Sequence, residues 1–379
     1  MVEIECLSGV RELKKSEWNA LVGDGSPFLE WEWLASLEEA GCVGGRSGWT
    51  SRPLVARENG RLVAAAPLYL KQHSEGEFVF DWGWADAAER AGIAYYPKLL
   101  VGVPFTPATG ARLLVAPDVD RALWTARLAA ALVEVCREGD FSGVHVNFCR
   151  EDEIAALRTL GFALRVGVQY HWRNVGYAEF GDWLARFRSK RRNQIKRERR
   201  EVAEAGVVVE TFTGEAIPDA LFEPMFTFYL ATVRGRVWGR QYLNRRLFEL
   251  LRERWKSRLC FVVARAGDQP IAGTFNVQKG DTLWGRYWGA THEVRNLHFE
   301  VCYYAAVEHC IANGLARFEP GAGGDYKQMR GFDGEPTWSL HWLAEPRLRD
   351  AVGRFLAEER ERMLGGIEWL REHSALKSA

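Results

Sequence analysis

The sequence lacks the paired and clustered residues that mark the commonest catalytic and metal sites. Its seven cysteines are scattered, odd in number and without a CxxC pair, and its eight histidines are dispersed. This distribution predicts reduced thiols in a cytoplasmic protein and no metal site. The strings GxSxG, GxxxxGK[ST] and HExxH are also absent, which removes the usual serine hydrolase, kinase and zinc enzyme classes.

Long apolar runs and an excess of either charge are missing as well. Lys+Arg and Asp+Glu both number 50, so the formal net charge is +0 and no global field selects nucleic acid or a membrane. No run approaches the ~18 apolar residues of a membrane span, and the first residues do not read as a signal peptide. We therefore expect no membrane span, and any electrostatic preference has to come from a local patch. The oligomeric state is left open.

Aromatic residues are abundant, and one strand–turn–strand pattern occurs twice. At 379 residues, with 16 tryptophans, the chain is long enough for two domains with cores of their own. VARENGRLVAA, residues 55–65, resembles VARAGDQPIAG, residues 263–273. We interpret this as two copies of one mixed α/β unit, with a chance match as the alternative. The predicted domains are residues 1–172, residues 173–345 and an amphipathic helix over 346–379 packed on the core.

Two further segments are predicted from local pattern. FVFDWGW, residues 78–84, places aromatic residues at alternate positions and therefore predicts a strand. Residues 223–254 predict two helices, separated by a glycine-interrupted, arginine-rich loop around Trp238.

The most informative stretch runs from Ile271 to Trp342. It predicts a hairpin of two strands, residues 271–277 and 283–288, and then a helix over 297–311 with Asn296 as its N-cap. A short strand over 316–319 ends in the glycine cluster PGAGG, which leaves backbone N–H groups free to face a ligand. Polar residues follow at once. In open α/β sheets, ligands bind at the carboxyl ends of strands.

A basic helix opens the second copy. Nine arginines and lysines lie between residues 186 and 200, over a thin apolar stripe. Like charges one turn apart destabilise a helix, so this crowding favours a bound anion that offsets the repulsion. Phosphate from a nucleotide, coenzyme A or RNA is one interpretation, and a solvated basic face is the other.

A string near the end of the second copy resembles the late motif of the Fem family of acyl- and aminoacyltransferases. The motif is a Phe-Glu-x-Gly run, a later lysine and a Gly-Phe pair, found here as residues 318–321, Lys327 and residues 331–332. Over most of its length the chain is more similar still to the bacterial FemAB-like branch, usually labelled GNAT-family N-acetyltransferase or peptidoglycan-biosynthesis-related. The stretches that carry this likeness are PFLEWEWLASLEEAGCV, APLYLKQHSEGEFVFDWGWADA, YYPKLLVGVPFTPATGARLL, GRYWGA, LHFEVCYY and FEPGAGGDYKQMRGF.

The resemblance implies a mixed α/β fold of tandem GNAT-like domains in the Fem arrangement, with the active cleft mainly in the second domain. It implies direct transfer of an acyl or aminoacyl group to a small or peptide-like amine. The co-substrate is acyl-CoA or aminoacyl-tRNA, and no cofactor is bound permanently. In Fem enzymes a lysine of the late motif holds substrate phosphates or the developing oxyanion, and Lys327 occupies the matching position.

The predicted site centres on the glycine turn. Lys327 and Arg330 are expected to face one anion, and Tyr326 is expected to donate to the same oxygen. Glu300 and His298 are the candidates for the base that deprotonates the amine. RYWGAT, residues 286–291, resembles an acetyl-CoA loop apart from its final threonine. The residues expected to bind substrate or cofactor are Asp81, Trp82, Trp84, Arg191, Arg192, Trp284, Arg286, Trp288, Gly289, Gly321, Gly323 and Gly324.

Several of these candidates also have a plain structural interpretation. Glu300 is placed to complement the helix dipole, and His298 to be a buried, hydrogen-bonded ring. Asp81 is placed to pair with an arginine, and each tryptophan to be part of a core. Two rival functions remain open. One is an RNA- or nucleotide-binding protein that uses the basic helix over 186–200, and the other is a degenerate scaffold that binds a partner.

Overall fold

The computed structural model describes residues 1–235 and 239–377, so part of the loop around Trp238 lies outside the described residues. The strands are β1 (Val2–Cys6), β2 (Trp49–Ser51), β3 (Leu54–Glu58), β4 (Arg61–Ala66), β5 (Leu68–Lys71), β6 (Lys98–Val101), β7 (Leu114–Val115), β8 (Gly143–Cys149), β9 (Ala163–Arg173), β10 (Val207–Thr213), β11 (Leu259–Ala266), β12 (Gln269–Lys279), β13 (Thr282–Ala290), β14 (Arg317–Glu319) and β15 (Asp333–Leu343).

The α-helices are α1 (Lys15–Val22), α2 (Trp31–Glu39), α3 (Trp82–Arg90), α4 (Arg121–Glu138), α5 (Ile154–Thr159), α6 (Phe180–Ala185), α7 (Ser189–Glu204), α8 (Phe222–Arg234), α9 (Arg245–Arg254), α10 (Leu297–Phe299), α11 (Ala305–Ala312) and α12 (Pro346–Glu372). A π-helical segment, Glu300–Tyr304, joins α10 to α11, and a 3-10 helix, Asp325–Arg330, follows β14. Within the described part of the chain, no helix is both long and apolar enough to cross a bilayer.

The described chain forms two compact units. The first contains residues 1–168 and 336–366, and the second contains residues 169–335 and 367–379. The chain passes from one unit to the other within β9, β15 and α12. The predicted domain boundaries at residues 172 and 345 stay a prediction.

The first unit is built on two groups of strands. An antiparallel sheet has the order β1-β3-β4-β7, and the other strands follow the order β2-β5-β6-β8 with the last part of β15 beside β8. β6 and β8 run parallel, and α4 packs on this core through Leu128 and Leu132. The hairpin between β3 and β4 turns at Asn59 and Gly60, which have φ values of 51° and 80°. These two residue types tolerate that conformation best.

The second unit carries strands in the order β10-β11-β12-β13-β14-β9. The predicted hairpin is confirmed as β12 and β13, which turn around Gly280 with a φ of 55°. β14 adds parallel to β13, which requires the crossover that α10, the π segment and α11 provide. The predicted helix over 297–311 is therefore confirmed. Asn296 does not cap it, because its side-chain amide donates to Glu201 Oε2 at 2.7 Å.

The strand predicted over residues 78–84 is wrong. Phe78 has a φ of 61°, which ends any extended run, and α3 begins at Trp82. Alternation predicts that one face is buried, yet Phe80 is 66% exposed and Trp82 is 44% exposed. The other long helical predictions are confirmed by α7, by the pair α8 and α9, and by α12.

Candidate functional site

In the second unit, the pairing of β13 with β14 ends at a point where two glycines let the two chain segments approach each other closely. The parallel pairing ends at Trp284 and Glu319. A Cβ on Gly285 would lie 3.1 Å from the Cα of Pro320, and one on Gly321 would lie 3.1 Å from the carbonyl oxygen of Gly285. Side chains at either position would push the two segments apart. The residues that follow the carboxyl end of β14 are thus held against β13.

Lys327 lies just beyond this point, in the 3-10 helix. The helix is bounded by Gly324 and Gly331, whose φ values of 87° and 75° let the chain turn sharply at both ends. Lys327 is 2% exposed, and its Nζ donates a hydrogen bond to the carbonyl oxygen of Gly321 at 2.6 Å. Among the described residues this is its one hydrogen-bond acceptor, and no carboxylate pairs with it. Burial lowers the pKa of Lys327 to about 8.

The glycine turn before this helix has a backbone that favours glycine at three positions. Gly321, Gly323 and Gly324 all have positive φ values, of 86°, 72° and 87°. The three glycines of the predicted site therefore shape the turn, and the oxygen of Gly321 holds the lysine. Binding of substrate by their N–H groups stays a prediction.

Glu319 has no role in the predicted site, although it lies in the late motif. It is 5% exposed, and its Oε1 lies 3.0 Å from Arg317 Nη2. Burial raises the pKa of Glu319 to about 7, although Arg317 opposes the shift. A carboxyl group that titrates near neutrality suits proton transfer. The sequence signal is its place, as the last residue of a strand that leads into the glycine turn.

His171, on β9, connects these groups. Its Nε2 lies 3.8 Å from Glu319 Oε2, and its Nδ1 lies 2.9 Å from Arg317 Nη2. Burial, followed by the positive charges of Arg317, Arg173 and Lys327, lowers the pKa of His171 well below its usual range. The imidazole is therefore neutral.

Arg330 does not share the environment of Lys327. It is 4% exposed, and its Nη2 lies 3.2 Å from both carboxylate oxygens of Glu198 on α7. Its Nε donates to the hydroxyl of Tyr304 at 3.0 Å. The prediction that Lys327 and Arg330 face one anion is not supported by this geometry, because the guanidinium is already paired inside the unit.

Glu300 is also engaged. Both of its carboxylate oxygens accept hydrogen bonds from Arg199 Nε at 3.1 Å. Burial raises the pKa of Glu300, and Arg199 opposes the shift. The carboxylate lines a cavity of about 500 Å³ together with Lys196 and Arg200. It is the first residue of the π segment, and its role as a base stays a prediction.

His298 and Tyr326 are brought together in an aromatic cluster. The His298 ring lies 5.0 Å from Trp288, 5.5 Å from Tyr303 and 5.8 Å from Tyr326. Tyr326 is 42% exposed, so the cluster is open on one side. Three of the predicted site residues thus form one surface next to the 3-10 helix.

The predicted acetyl-CoA loop lies in a strand. Residues 286–290 belong to β13, where Gly289 pairs with Gly273 and Ala290 with Ala272. A Cβ on Gly289 would lie 1.8 Å from the carbonyl oxygen of Phe228, so glycine is required for α8 to pack on the sheet. The string therefore lies within a strand, and not in a loop between a strand and a helix as an acetyl-CoA loop would. Burial lowers the pKa of Arg286, whose guanidinium lies 5.3 Å from the Tyr287 ring centroid.

Three further predicted residues of the second unit lie in a strand and in a helix: Trp284 in β13, and Arg191 and Arg192 in α7. Trp284 is buried at the end of the β13–β14 pairing, opposite Glu319 in the register of the two strands. Arg191 and Arg192 lie in the first two turns of α7 and are half-buried, and Arg191 Nη1 donates to Gln194 at 2.8 Å. Neither arginine has an acidic partner in the part of the chain that the structure describes.

Asp81, Trp82 and Trp84 belong to the first unit. Asp81 is buried and accepts hydrogen bonds from Lys98 Nζ and, at 2.6 Å, from Tyr95. Burial alone would raise the pKa of Asp81, but the charge of Lys98, with a smaller contribution from His145, lowers it below its usual range. Trp84 packs at 4.8 Å from His341. Asp81 is thus an ion-pair partner, although of a lysine rather than an arginine.

Replacing Lys98 by methionine is expected to lower the free energy of unfolding by about 3–5 kcal/mol, because Asp81 and Glu77 lose their shared buried counter-ion. Chemical denaturation at pH 7 measures this. Arg61→Met is the control, since its exposed pair with Asp118 is worth about 1 kcal/mol or less. Equal losses of unfolding free energy in the two variants would show that the buried ion pairs of Lys98 contribute no more to stability than the exposed pair does.

Comparison with known proteins agrees with this architecture. The profile of a family named FemAB-like, described as peptidoglycan biosynthesis/recognition, matches residues 9–378. No curated protein sequence matches the chain.

Three solved structures resemble the chain over most of its length. FemX is 12% identical with a TM-score of 0.56, covering 90% of this chain and 98% of its own. The C-terminal domain of a putative lysylphosphatidylglycerol synthetase from Agrobacterium fabrum is 11% identical with a TM-score of 0.54, covering 90% and 95%. L-PGS from Bacillus licheniformis is 8% identical with a TM-score of 0.52, covering 86% and 96%. The likeness confirms the predicted mixed α/β fold of tandem GNAT-like units in the Fem arrangement.

Proposed function

Because the chain belongs to the FemAB-like family, we propose that it transfers an acyl or aminoacyl group from an activated ester or thioester to an amine. The reaction takes place in the second unit, where β14 ends at Glu319 beside β13 and the glycine turn leads on to Lys327. The acceptor is a small or peptide-like amine, in keeping with the family's description as peptidoglycan biosynthesis/recognition.

The observation that carries the proposal is the buried ammonium of Lys327. Burying a charge without a counter-ion destabilises a folded protein, and here the lowered pKa reports that cost. Perturbed groups of this kind concentrate at functional sites, where their charge acts on a ligand. A negatively charged oxygen beside Nζ would supply the partner that the described residues do not.

Each group then has a defined part in the reaction. The amine nitrogen bonds to the carbonyl carbon, and the electron pair of the C=O bond moves to oxygen. The ammonium of Lys327 donates a hydrogen bond to this oxyanion. Glu319 accepts the proton that the attacking nitrogen loses. When the C=O bond re-forms, the bond to the leaving oxygen or sulfur breaks, and the leaving group takes up the proton from Glu319.

The geometry of β13 favours an aminoacyl ester over a coenzyme A thioester as donor. A pyrophosphate cradle needs free backbone N–H groups in a loop before a helix. The string that resembles such a loop is paired with β12 and packed under α8, so it does not provide that loop. Aminoacyl-tRNA is the donor of this class that the family resemblance implies.

The rival function, RNA binding without catalysis, is favoured by one observation. Five cations of α7 and the residue before it lack an acidic partner within the described ranges: Arg188, Lys190, Arg191, Arg192 and Lys196. All of them except Lys196 lie at the first turn of α7, the positive end of the helix dipole, where cations are disfavoured. Bound phosphate would relieve this repulsion whether or not transfer follows.

Native mass spectrometry after incubation with aminoacyl-tRNA, and separately with coenzyme A thioesters, tests the proposal. We expect retention of the aminoacyl-tRNA and, with an amine acceptor, release of deacylated tRNA. Salt-dependent RNA binding that is lost on charge reversal at Arg191 and Arg192, with no transfer from either donor, would favour the rival. Retention of neither donor would contradict both the proposed transfer and the rival function.

A further inference from the structure

We infer that Arg330 and Glu198 are positioning residues that hold the 3-10 helix of Lys327 in place, instead of binding substrate. The catalytic consequence rests on the function proposed above, but the structural claim does not. Both side chains are buried, at 4% and 5% exposure, and they pair with each other across 132 residues of sequence.

The guanidinium of Arg330 donates its hydrogen bonds to acceptors within the protein. Nη2 reaches both oxygens of Glu198 at 3.2 Å, Nε donates to the hydroxyl of Tyr304 at 3.0 Å, and Nη1 donates to the backbone oxygen of Tyr326 at 3.3 Å. The guanidinium carbon lies 3.3 Å from the centroid of the Phe299 ring. A guanidinium that donates hydrogen bonds through all three nitrogens, and that an aromatic ring covers on one face, is fixed in position. It has few hydrogen-bond donors left for a ligand.

Glu198 is fixed just as firmly. It lies on α7 among cations, but faces inward, where Gln194 Nε2 donates to its Oε1 at 2.7 Å. The hydroxyl of Tyr304 donates to its Oε2 in a short hydrogen bond. Tyr304 is the last residue of the π segment, so that irregular turn brings its hydroxyl to the ion pair.

The ion pair acts on Lys327 through the geometry of a 3-10 helix. The hydrogen bonds of a 3-10 helix have poorer geometry than those of an α-helix, so the position of a short one depends on contacts with the rest of the protein. Arg330 is three residues after Lys327 in the same six-residue helix. Anchoring Arg330 on Glu198 and Tyr304 therefore sets where the Lys327 ammonium points, and keeps it out of water.

The test replaces the whole anchor by apolar side chains, in the variant Glu198→Leu/Tyr304→Phe/Arg330→Met. Removing a buried ion pair together with its partners leaves no uncompensated charge, so the fold is expected to persist. The ionisation of Lys327 is followed by NMR of the ¹³Cε of labelled lysine, assigned with Lys327→Met. We expect the titration of Lys327 to move from about pH 8 toward the ordinary lysine range, and kcat to fall about 100-fold with little change in KM.

A matched control and a second variant make the outcome decisive. Arg165→Met/Glu359→Leu removes a two-bond ion pair of the first unit, and is expected to leave kcat and the Lys327 titration unchanged. If the triple variant does not fold, Arg330→Lys keeps the charge opposite Glu198 but loses the fork to Tyr304 and Tyr326. A folded variant of either kind with wild-type kcat and a wild-type Lys327 titration overturns the inference. If the wild type transfers nothing, the proposed function fails, and the lysine titration alone still decides the positioning role.

Discussion

Lys327→Met is expected to lower kcat by about 10³-fold, because it removes the one charge aimed at the developing oxyanion. The reason lies in the site: Nζ is buried, and it donates a hydrogen bond to the backbone oxygen of Gly321. The rate is measured as single-turnover transfer from the donor class that native mass spectrometry identifies. Lys256→Met, which removes a partly buried lysine of the same unit paired with Asp219, is the control and is expected to keep the wild-type rate.

The same substitution is expected to stabilise the protein. The pKa of Lys327 is lowered from its ordinary value of 10.5 to about 8, so folding disfavours its charged form. Below pH 8 this costs about 3 kcal/mol, and the cost disappears as the pH rises toward 10.5. At pH 7 thermal unfolding of Lys327→Met should occur at or above the wild-type temperature. A less stable variant with a normal rate would show that the lysine is structural.

Glu319→Gln is expected to lower kcat by about 10²–10⁴-fold, because glutamine cannot take the proton of the attacking amine. The pH profile identifies the group. In the wild type, kcat should rise through about pH 7 as Glu319 loses its proton, and fall above about pH 8 as Lys327 loses its own. The variant should lose the rising limb and keep the falling one.

Glu335→Gln is the matched control for Glu319. Glu335 is a nearby acid of the same unit, paired with Arg173, and influences the pKa of Glu319. We expect its replacement to change kcat by less than about tenfold and to preserve both limbs. A rising limb that survives in Glu319→Gln would assign the base to the substrate or to another residue.

The local elements of the second unit could be predicted because short-range signals determine them. Lys279-Gly280-Asp281 accepts the left-handed turn of the β12–β13 hairpin, and the glycine cluster ends β14 as expected. FVFDWGW failed because alternation carries no information on what the aromatic residues pack against. Asp81 is buried because it pairs with Lys98, 17 residues later, and α3 begins at the residue after it.

The chemistry of the candidate site depends on contacts that the sequence separates widely. Arg330 looked like a partner of Lys327 because the two are neighbours in sequence, but its counter-ion is 132 residues away on α7. The pKa of Glu319 is raised by burial in a strand that lies between β13 and β9, which no local pattern shows. Gly289 resembled part of a cofactor loop, whereas the close approach of Phe228 explains it.

A crystal structure with a phosphonate analogue of the tetrahedral intermediate tests the central claim most directly. The analogue presents a charged oxygen where the oxyanion forms, so its contacts report which group stabilises that charge. We predict that this oxygen lies about 3 Å from Lys327 Nζ, with Glu319 facing the attacking position. An analogue bound with its oxygen on other donors, while Lys327 keeps only the oxygen of Gly321, would contradict the account.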